Sequence, residues 1–226
     1  MIVWACRLDV STYAANGRAV TPPAVRCPAC GGQTGPWSGY RRHLRAGDLL
    51  VVFVPRVRCK GCGRTDALLP WFVAPHRYDT VDVIGRALDL HVLGMGVRRI
   101  AETLGRPETT VREWCRRLGV VAADLAARLL AAAVRIGWSG FELPTAPKPR
   151  ALAAVAAVGS AWSRRHGPVP GWRLAALVTG GTFLAPNTGS PLAGTVPRPV
   201  MAGTPSSGGS RCHPTLPRRS PSGATT

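Results

Sequence analysis

Residues 97–118, VRRIAETLGRPETTVREWCRRL, hold two runs of helical apolar spacing separated by Gly105-Arg106-Pro107. Val97, Ile100, Ala101 and Leu104 share one face of the first run, and Val111, Trp114, Cys115 and Leu118 share one face of the second. Gly105 can take the positive φ that stops a helix, and Pro107 suits the first position of the next helix, where its missing N–H costs nothing. Ala101, four residues before the glycine, is small where two steeply crossed helices must approach, and Val111 and Trp114 supply the contacts from the second helix. The stretch predicts a helix-turn-helix.

In that geometry the second helix presents Glu108, Thr109, Arg112, Glu113 and Arg116 away from its core, toward a major groove. Arg112 can fork onto guanine, Thr109 can touch a thymine methyl or a phosphate, and Glu113 can accept from a cytosine amine. Arg116 and Arg117 are placed to hold phosphates, which positions a protein without reading sequence. The alternative for the same residues is an ordinary helical hairpin whose charged face is only solvated.

On the N-terminal side of this stretch, Thr80 can cap a preceding helix with Asp82 in its first turn, and Val81, Ile84, Leu88, Val92 and Leu93 form its apolar stripe before Gly94 and Gly96 end it. On the other side, Val120 to Ile136 predicts a separate helix with a stripe of Leu125, Leu129, Leu130 and Val134. That stripe completes the core or pairs with a second copy, so a homodimer is a candidate assembly. Further helical patterns at 151–163 and 172–178 follow a proline-rich break from Pro144 to Pro149, and Pro, Gly, Ser and Thr dominate from Pro186 onward, as in disordered segments.

Upstream lie Cys27-Pro28-Ala29-Cys30-Gly31-Gly32 and Cys59-Lys60-Gly61-Cys62-Gly63-Arg64. Two C-x-x-C pairs with glycines at or after the second cysteine fit a closed tetrahedral zinc site, because the tight turn aims backbone amides at the sulfurs. Cys27, Cys30, Cys59 and Cys62 are the candidate ligands of a structural Zn²⁺; His43, between the pairs, is the one substitute. A redox role would ask for one pair at a helix start near a βαβ unit, which this sequence lacks. Cys6, Cys115 and Cys212 have no partner spacing, and Cys115 reads as core. Between the pairs, Trp37 to Arg45 and Leu49 to Arg58 predict a hairpin turning at Ala46-Gly47-Asp48, with Val51, Phe53, Val57 and Cys59 on one face and Arg56 and Arg58 on the other. Pro55 argues for an edge strand.

Arg41, Arg42, Arg45, Arg56 and Arg58, with Lys60 and Arg64, concentrate charge on this ribbon, and Tyr40 and Trp37 beside them make it a candidate second nucleic-acid surface or simply a solvated charged face. Residues 68–75, LLPWFVAP, form an apolar connector that fixes the ribbon against the helices, and residues 2–10 read as a strand. His76 reads as a connector residue and His91 as a helix-surface residue.

With a net charge of +18 and a pI near 11.4, the 226-residue chain favours a polyanionic partner, double-stranded DNA above all. The excess is almost all arginine, Lys60 and Lys148 being the only lysines, which a GC-rich genome also produces. An apolar fraction of 46% allows a buried core. The N-terminus lacks the pattern of a signal peptide, and uncharged stretches such as 151–163 are too short to span a membrane. We therefore expect a cytoplasmic protein with no membrane partner, in a compartment where cysteines bind metal more than they form disulfides.

The order CPACGG, then RVRCKGCGRTDALLPWFVAP, then GVRRIAETLGRPETTVREWCRRL resembles a bacterial family of unknown function often found with mobile elements, and the zinc-binding and helix-turn-helix head of insertion-sequence transposases. The resemblance covers about residues 25–120 and implies DNA recognition, with a separate transposase as a candidate partner. It does not reach a nuclease core, which needs three carboxylates gathering two metal ions; no Asp or Glu follows Glu142. The expectation is α+β: lead-in 1–24, a small β-hairpin zinc ribbon at 25–75, a mostly helical helix-turn-helix domain at 76–140, a partly helical extension at 141–185 and a disordered tail at 186–226. A DNA-binding transposon-associated factor or transcription regulator, not an enzyme, is the expected function. A zinc-stabilised protein-interaction adaptor or a non-catalytic transposase remnant is the alternative.

Overall fold

The computed structural model describes residues 1–140 and 142–185. The expected disordered tail at 186–226, with Cys212, lies outside the described residues. The order of elements is β1 (Ile2–Trp4), α1 (Val10–Asn16), β2 (Thr34–Arg45), β3 (Leu49–Cys59), β4 (Thr65–Pro70), α2 (Val81–Val92), α3 (Val97–Leu104), α4 (Glu108–Arg135), α5 (Pro147–His166) and α6 (Gly171–Thr179), with short 3-10 turns at Gly17–Ala19 and Thr182–Leu184. The class is α+β, as expected.

The sheet is mixed, in the order β1-β4-β3-β2. The expected hairpin is present: β2 and β3 pair antiparallel from Thr34 opposite Cys59 to Arg45 opposite Leu49, with a register shift between Pro36 and Ser38. Two expectations about β3 fail. Val52 and Val54 are fully buried while Val51 is exposed, so the inward set over this stretch is the reverse of the one expected; past the irregularity, Val57 and Cys59 do face in. The run VVFV is apolar at every position, so alternation could not choose its face. Nor is β3 an edge strand, since β4 pairs with it at Arg56, Val57 and Arg58. Pro55 sits one residue beyond that ladder, where its lack of an N–H leaves no β4 bond unmade.

Residues 2–10 are not one strand. β1 runs three residues and pairs parallel with Leu68, Leu69 and Pro70, so the first part of the predicted connector is a strand as well. The chain then enters α1, where the Asp9 carboxylate caps by accepting from the Thr12 N–H at 2.9 Å. Tyr13, fully buried, packs edge-on against Phe72 and donates its hydroxyl to the Phe53 carbonyl, pinning α1 to β3.

Thr80 caps α2 through its hydroxyl, which accepts from the Val83 N–H, as the sequence indicated. The buried stripe is Val81, Ile84, Ala87 and Leu88; Leu93 lies past the helix end and is 76% exposed. The helix expected from Val120 to Ile136 is not separate from the one before it: α4 runs unbroken for 28 residues through Gly119. Leu118, Val121 and Ala122 on either side of it are buried, and α4 packs along α5, which outweighs the roughly 1 kcal/mol an interior glycine costs. Leu125 and Leu129 are buried as expected, but Val134, at the far end, is exposed. Pro147 and Pro149, read as a break, open α5, where a first-turn proline has no intrahelical bond to lose. One hydrophobic cluster takes in residues from Ile2 to Leu184.

Candidate metal centre and candidate nucleic-acid interface

The two cysteine pairs fold as matching turns. In the first, the Gly31 N–H donates to the Cys27 carbonyl at 2.9 Å and the Cys27 N–H to the Gly32 carbonyl at 2.9 Å. In the second, the Gly63 N–H donates to the Cys59 carbonyl at 3.1 Å and the Cys59 N–H to the Arg64 carbonyl at 2.8 Å. Gly31 and Gly63 both sit at φ +71°, a left-handed conformation that favours glycine. The Lys60 N–H to the Gln33 carbonyl, at 2.9 Å, ties one turn to the other.

This brings the four sulfurs within 4.8 Å of one another, with Cys27 and Cys62 3.7 Å apart and Cys30 and Cys59 3.5 Å apart. A tetrahedron of thiolates at the usual zinc–sulfur length of about 2.3 Å has edges of about 3.8 Å, so the spacing fits a four-coordinate ion. A Cβ on Gly32 would lie 3.3 Å from the Cys30 and Cys59 sulfurs, so the turn passes close over the cluster. The Cys62 backbone N–H, 3.5 Å from the Cys59 sulfur, is the main influence drawing that thiol down to about 6, and the Cys30 amide lowers Cys27 likewise. At Cys30 the Gly32 amide pulls downward, but crowding by the sulfurs of Cys59, Cys62 and Cys27 wins and pushes the thiol up to about 11. Four thiolates this close need a cation to coexist. The cluster is compatible with a metal ion. His43 is exposed on β2 and lies outside the four-sulfur group.

The second candidate site is the start of α4. Gly105 ends α3 at φ +59°, its N–H donating to the Glu102 carbonyl while the Arg106 N–H donates to the Ala101 carbonyl at 2.9 Å, a Schellman closure. Pro107 stands one position earlier than expected, as the N-cap of α4. Ile100, Ala101, Val111 and Trp114 are buried between the two helices, so the small residue and the core pair occupy the predicted places.

Of the residues expected to face a groove, Thr109, Arg112 and Arg116 are exposed, and Glu108 and Glu113 are half-buried. Their charges are locally paired: Arg112 with Glu108, and Arg116 with Glu113 at 2.9 Å. Arg117 does not join them. It is buried and donates toward the Thr182 carbonyl at 3.5 Å, because the unbroken α4 turns that position onto the segment after α6.

Of the second basic set, only Arg41 and Arg58 are exposed. Arg42 donates to the Ala74 and Arg77 carbonyls, Arg45 pairs with Asp79 at 3.0 Å, and Arg56 donates to the Thr65 hydroxyl at 2.9 Å. Sequence reasoning missed Asp79, a buried carboxylate that also takes Arg106 of the α3–α4 turn and so joins the hairpin to that turn. Its position before the Thr80 cap was the only local signal, and its partners lie 34 and 27 residues away.

No helix among the described residues is long and apolar enough to cross a membrane. No curated protein and no solved structure matches the chain. Residues 27–114, from the first of the four clustered cysteines to the core tryptophan of α4, are similar to a family described as a domain of unknown function (DUF6431).

Proposed function

We propose that this chain is a zinc-containing DNA-binding protein that recognises duplex DNA through α3 and α4 as a helix-turn-helix, without a catalytic domain. The observation that carries the reading is the closed turn at Gly105, which holds α4 so that Thr109, Arg112 and Arg116 lie together on an exposed face in a chain of net charge +18. Arg112 and Thr109 read base edges, and Arg116 holds phosphate. Glu108 and Glu113 keep the two arginines extended in the free protein and are exchanged for DNA contacts on binding. Zinc, held by Cys27, Cys30, Cys59 and Cys62, is structural, since four thiolates leave no open position for substrate. A reducing cytoplasm suits those thiols. A transposon-associated factor or a regulator is the expected setting, and a separate transposase is a candidate partner.

We assign no catalytic residue: Asp66, Asp79, Asp82, Asp89 and Glu113 are each engaged by an arginine or, for Asp89, by the Trp172 indole. One observation favours the adaptor reading instead. The exposed start of α4 carries two acids for its two exposed arginines, which weakens its attraction for a polyanion.

Selection from a randomised duplex pool by the zinc-loaded protein at ~150 mM salt decides between them. Enrichment of a defined motif, with Arg112→Ala relaxing one base pair by roughly tenfold and Arg116→Ala weakening all sequences alike, supports DNA reading. Failure to enrich any motif refutes it.

A further inference from the structure

The outward face of the hairpin is not explained by duplex reading at α4. Trp37 is 56% exposed, and the Arg58 guanidinium lies 4.6 Å from its ring centroid, covering one side of the indole. Phe53 lies over Gly39 on the paired strand; a Cβ there would fall 2.1 Å from the ring, so the glycine makes room for it. The Arg18 guanidinium sits 5.0 Å over that ring. Arg41 is exposed on β2, and Lys60 is exposed in the turn that follows β3. None of Arg18, Arg41, Arg58 and Lys60 has an ion pair among the described residues. Beside Trp37, Arg58 and Lys60 border a groove of about 410 Å³ whose other walls are Gly35, Pro36, Cys59, Gly61 and Gly63. Three glycines expose backbone there instead of side chains.

We propose that this face binds single-stranded nucleic acid, with an unpaired base stacked on the open side of Trp37 and its phosphate in the groove against Arg58 and Lys60. An antiparallel hairpin bearing exposed aromatic rings and cations suits sequence-tolerant stacking on unpaired bases. The bases of a duplex are already stacked on one another and cannot reach the indole face, so Trp37 distinguishes the single strand from the duplex. The surface does not depend on the α4 reading. Its residues lie on the hairpin and the turns beside it, none of them on α3 or α4, and its ligand is a different form of nucleic acid.

The test uses the full-length, zinc-loaded protein and two fluorescent probes, an oligothymidylate of about 15 nucleotides and a random duplex of equal length. Trp37→Ala and Arg58→Ala should each weaken oligothymidylate binding by about tenfold or more, with Trp37→Phe retaining most of it. Duplex binding by Trp37→Ala should stay within about twofold of the original, while Arg112→Ala should leave the oligothymidylate affinity unchanged. Far-UV circular dichroism and metal content by native mass spectrometry confirm that each variant is folded. The proposal is overturned by no measurable oligothymidylate binding, by Trp37→Ala binding it as tightly as the original chain, or by equal losses on both probes, which would make the face a general polyanion contact. Failure of the duplex selection to enrich any motif, with oligothymidylate binding intact, would sink the duplex reading alone.

Discussion

Replacing Asp79 by alanine should destabilise the protein by about 3–4 kcal/mol. The carboxylate joins Arg45 at the end of β2 to Arg106 in the α3–α4 turn, and its side chain is 3% exposed. Arg106 is also nearly enclosed, at 10%, so removing Asp79 strands a guanidinium without counter-charge; breaking one side of a buried pair costs about 3–5 kcal/mol. Because the Arg106 guanidinium retains two neighbouring carbonyls, those of Leu104 and Gly105, the lower part of that range applies. Arg45 keeps a third of its surface in water and adds at most about 1 kcal/mol.

Urea unfolding of the metal-loaded protein at pH 7, followed by far-UV circular dichroism, gives the difference directly; a thermal scan should show a fall of roughly 6–15 °C for a chain of this size. Arg45→Ala alone should cost about 1 kcal/mol. The double variant Asp79→Ala, Arg106→Ala should be less destabilised than the two single changes added together, since the second substitution removes the stranded charge. An Asp79→Ala protein within about 0.5 kcal/mol of the original, or a strictly additive double variant, would refute this account of the junction.

Other expectations follow from single contacts. Cys59→Ser should abolish metal binding at native pH, seen as loss of one metal mass by native mass spectrometry; retention of the ion would remove the four-sulfur site. Gly105→Ala places a Cβ at φ +59° and should cost about 1 kcal/mol, with Gly105→Asn costing less, while equal stability of all three would deny the left-handed cap. Burial raises the Asp89 carboxyl above its ordinary value, against the pull of the Trp172 indole N–H at 2.8 Å and the charge of Arg86. The native state therefore binds the proton more tightly than the unfolded chain, and this group's contribution to stability falls as pH rises from about 3.9 through the raised value. Asp89→Asn, which still accepts from the indole, removes this contribution, so the variant should lose more stability on acidification than the original chain while being equally or slightly more stable at pH 7; an acid-side loss no steeper than in the original chain would contradict the assignment.

The parts of the fold that could be read in the sequence are those set by one or a few adjacent residues. The paired C-x-x-C turns, Gly105, the Thr80 cap and the Ala46-Gly47-Asp48 hairpin turn each declare a local conformation, and each is found in place. The faces of β3 were not legible, because Val51 to Val54 are apolar throughout and only tertiary burial selects Val52 and Val54. The helix at Val10–Asn16 was missed although Asp9 marked its start, since a seven-residue helix has too few turns to show a period. The two helices expected on either side of Gly119 are one, because packing on both sides overrides that glycine's intrinsic cost.

Arginine was the residue whose role composition hid most. Arg42, Arg106, Arg117 and Arg173 look like surface charge in the sequence, yet each is bound to a carbonyl or a carboxylate across many residues: Arg173 grips Asp82 from 91 positions away. Local pairs were legible, for Glu108 and Arg112 stand four apart on a helix, and their pairing bears on how DNA would be held. With two acids for its two exposed arginines, the start of α4 supplies little of the counterion release that drives nucleic-acid affinity. On the proposed function, α4 therefore discriminates between sequences, and the unpaired cations elsewhere set the salt dependence. Each phosphate contact contributes about −0.9 to the slope of log K against log salt for duplex DNA, so Arg112→Ala should change selectivity while leaving that slope nearly intact. A slope that falls by a full contact on losing Arg112 would place the phosphates, not the bases, against this helix.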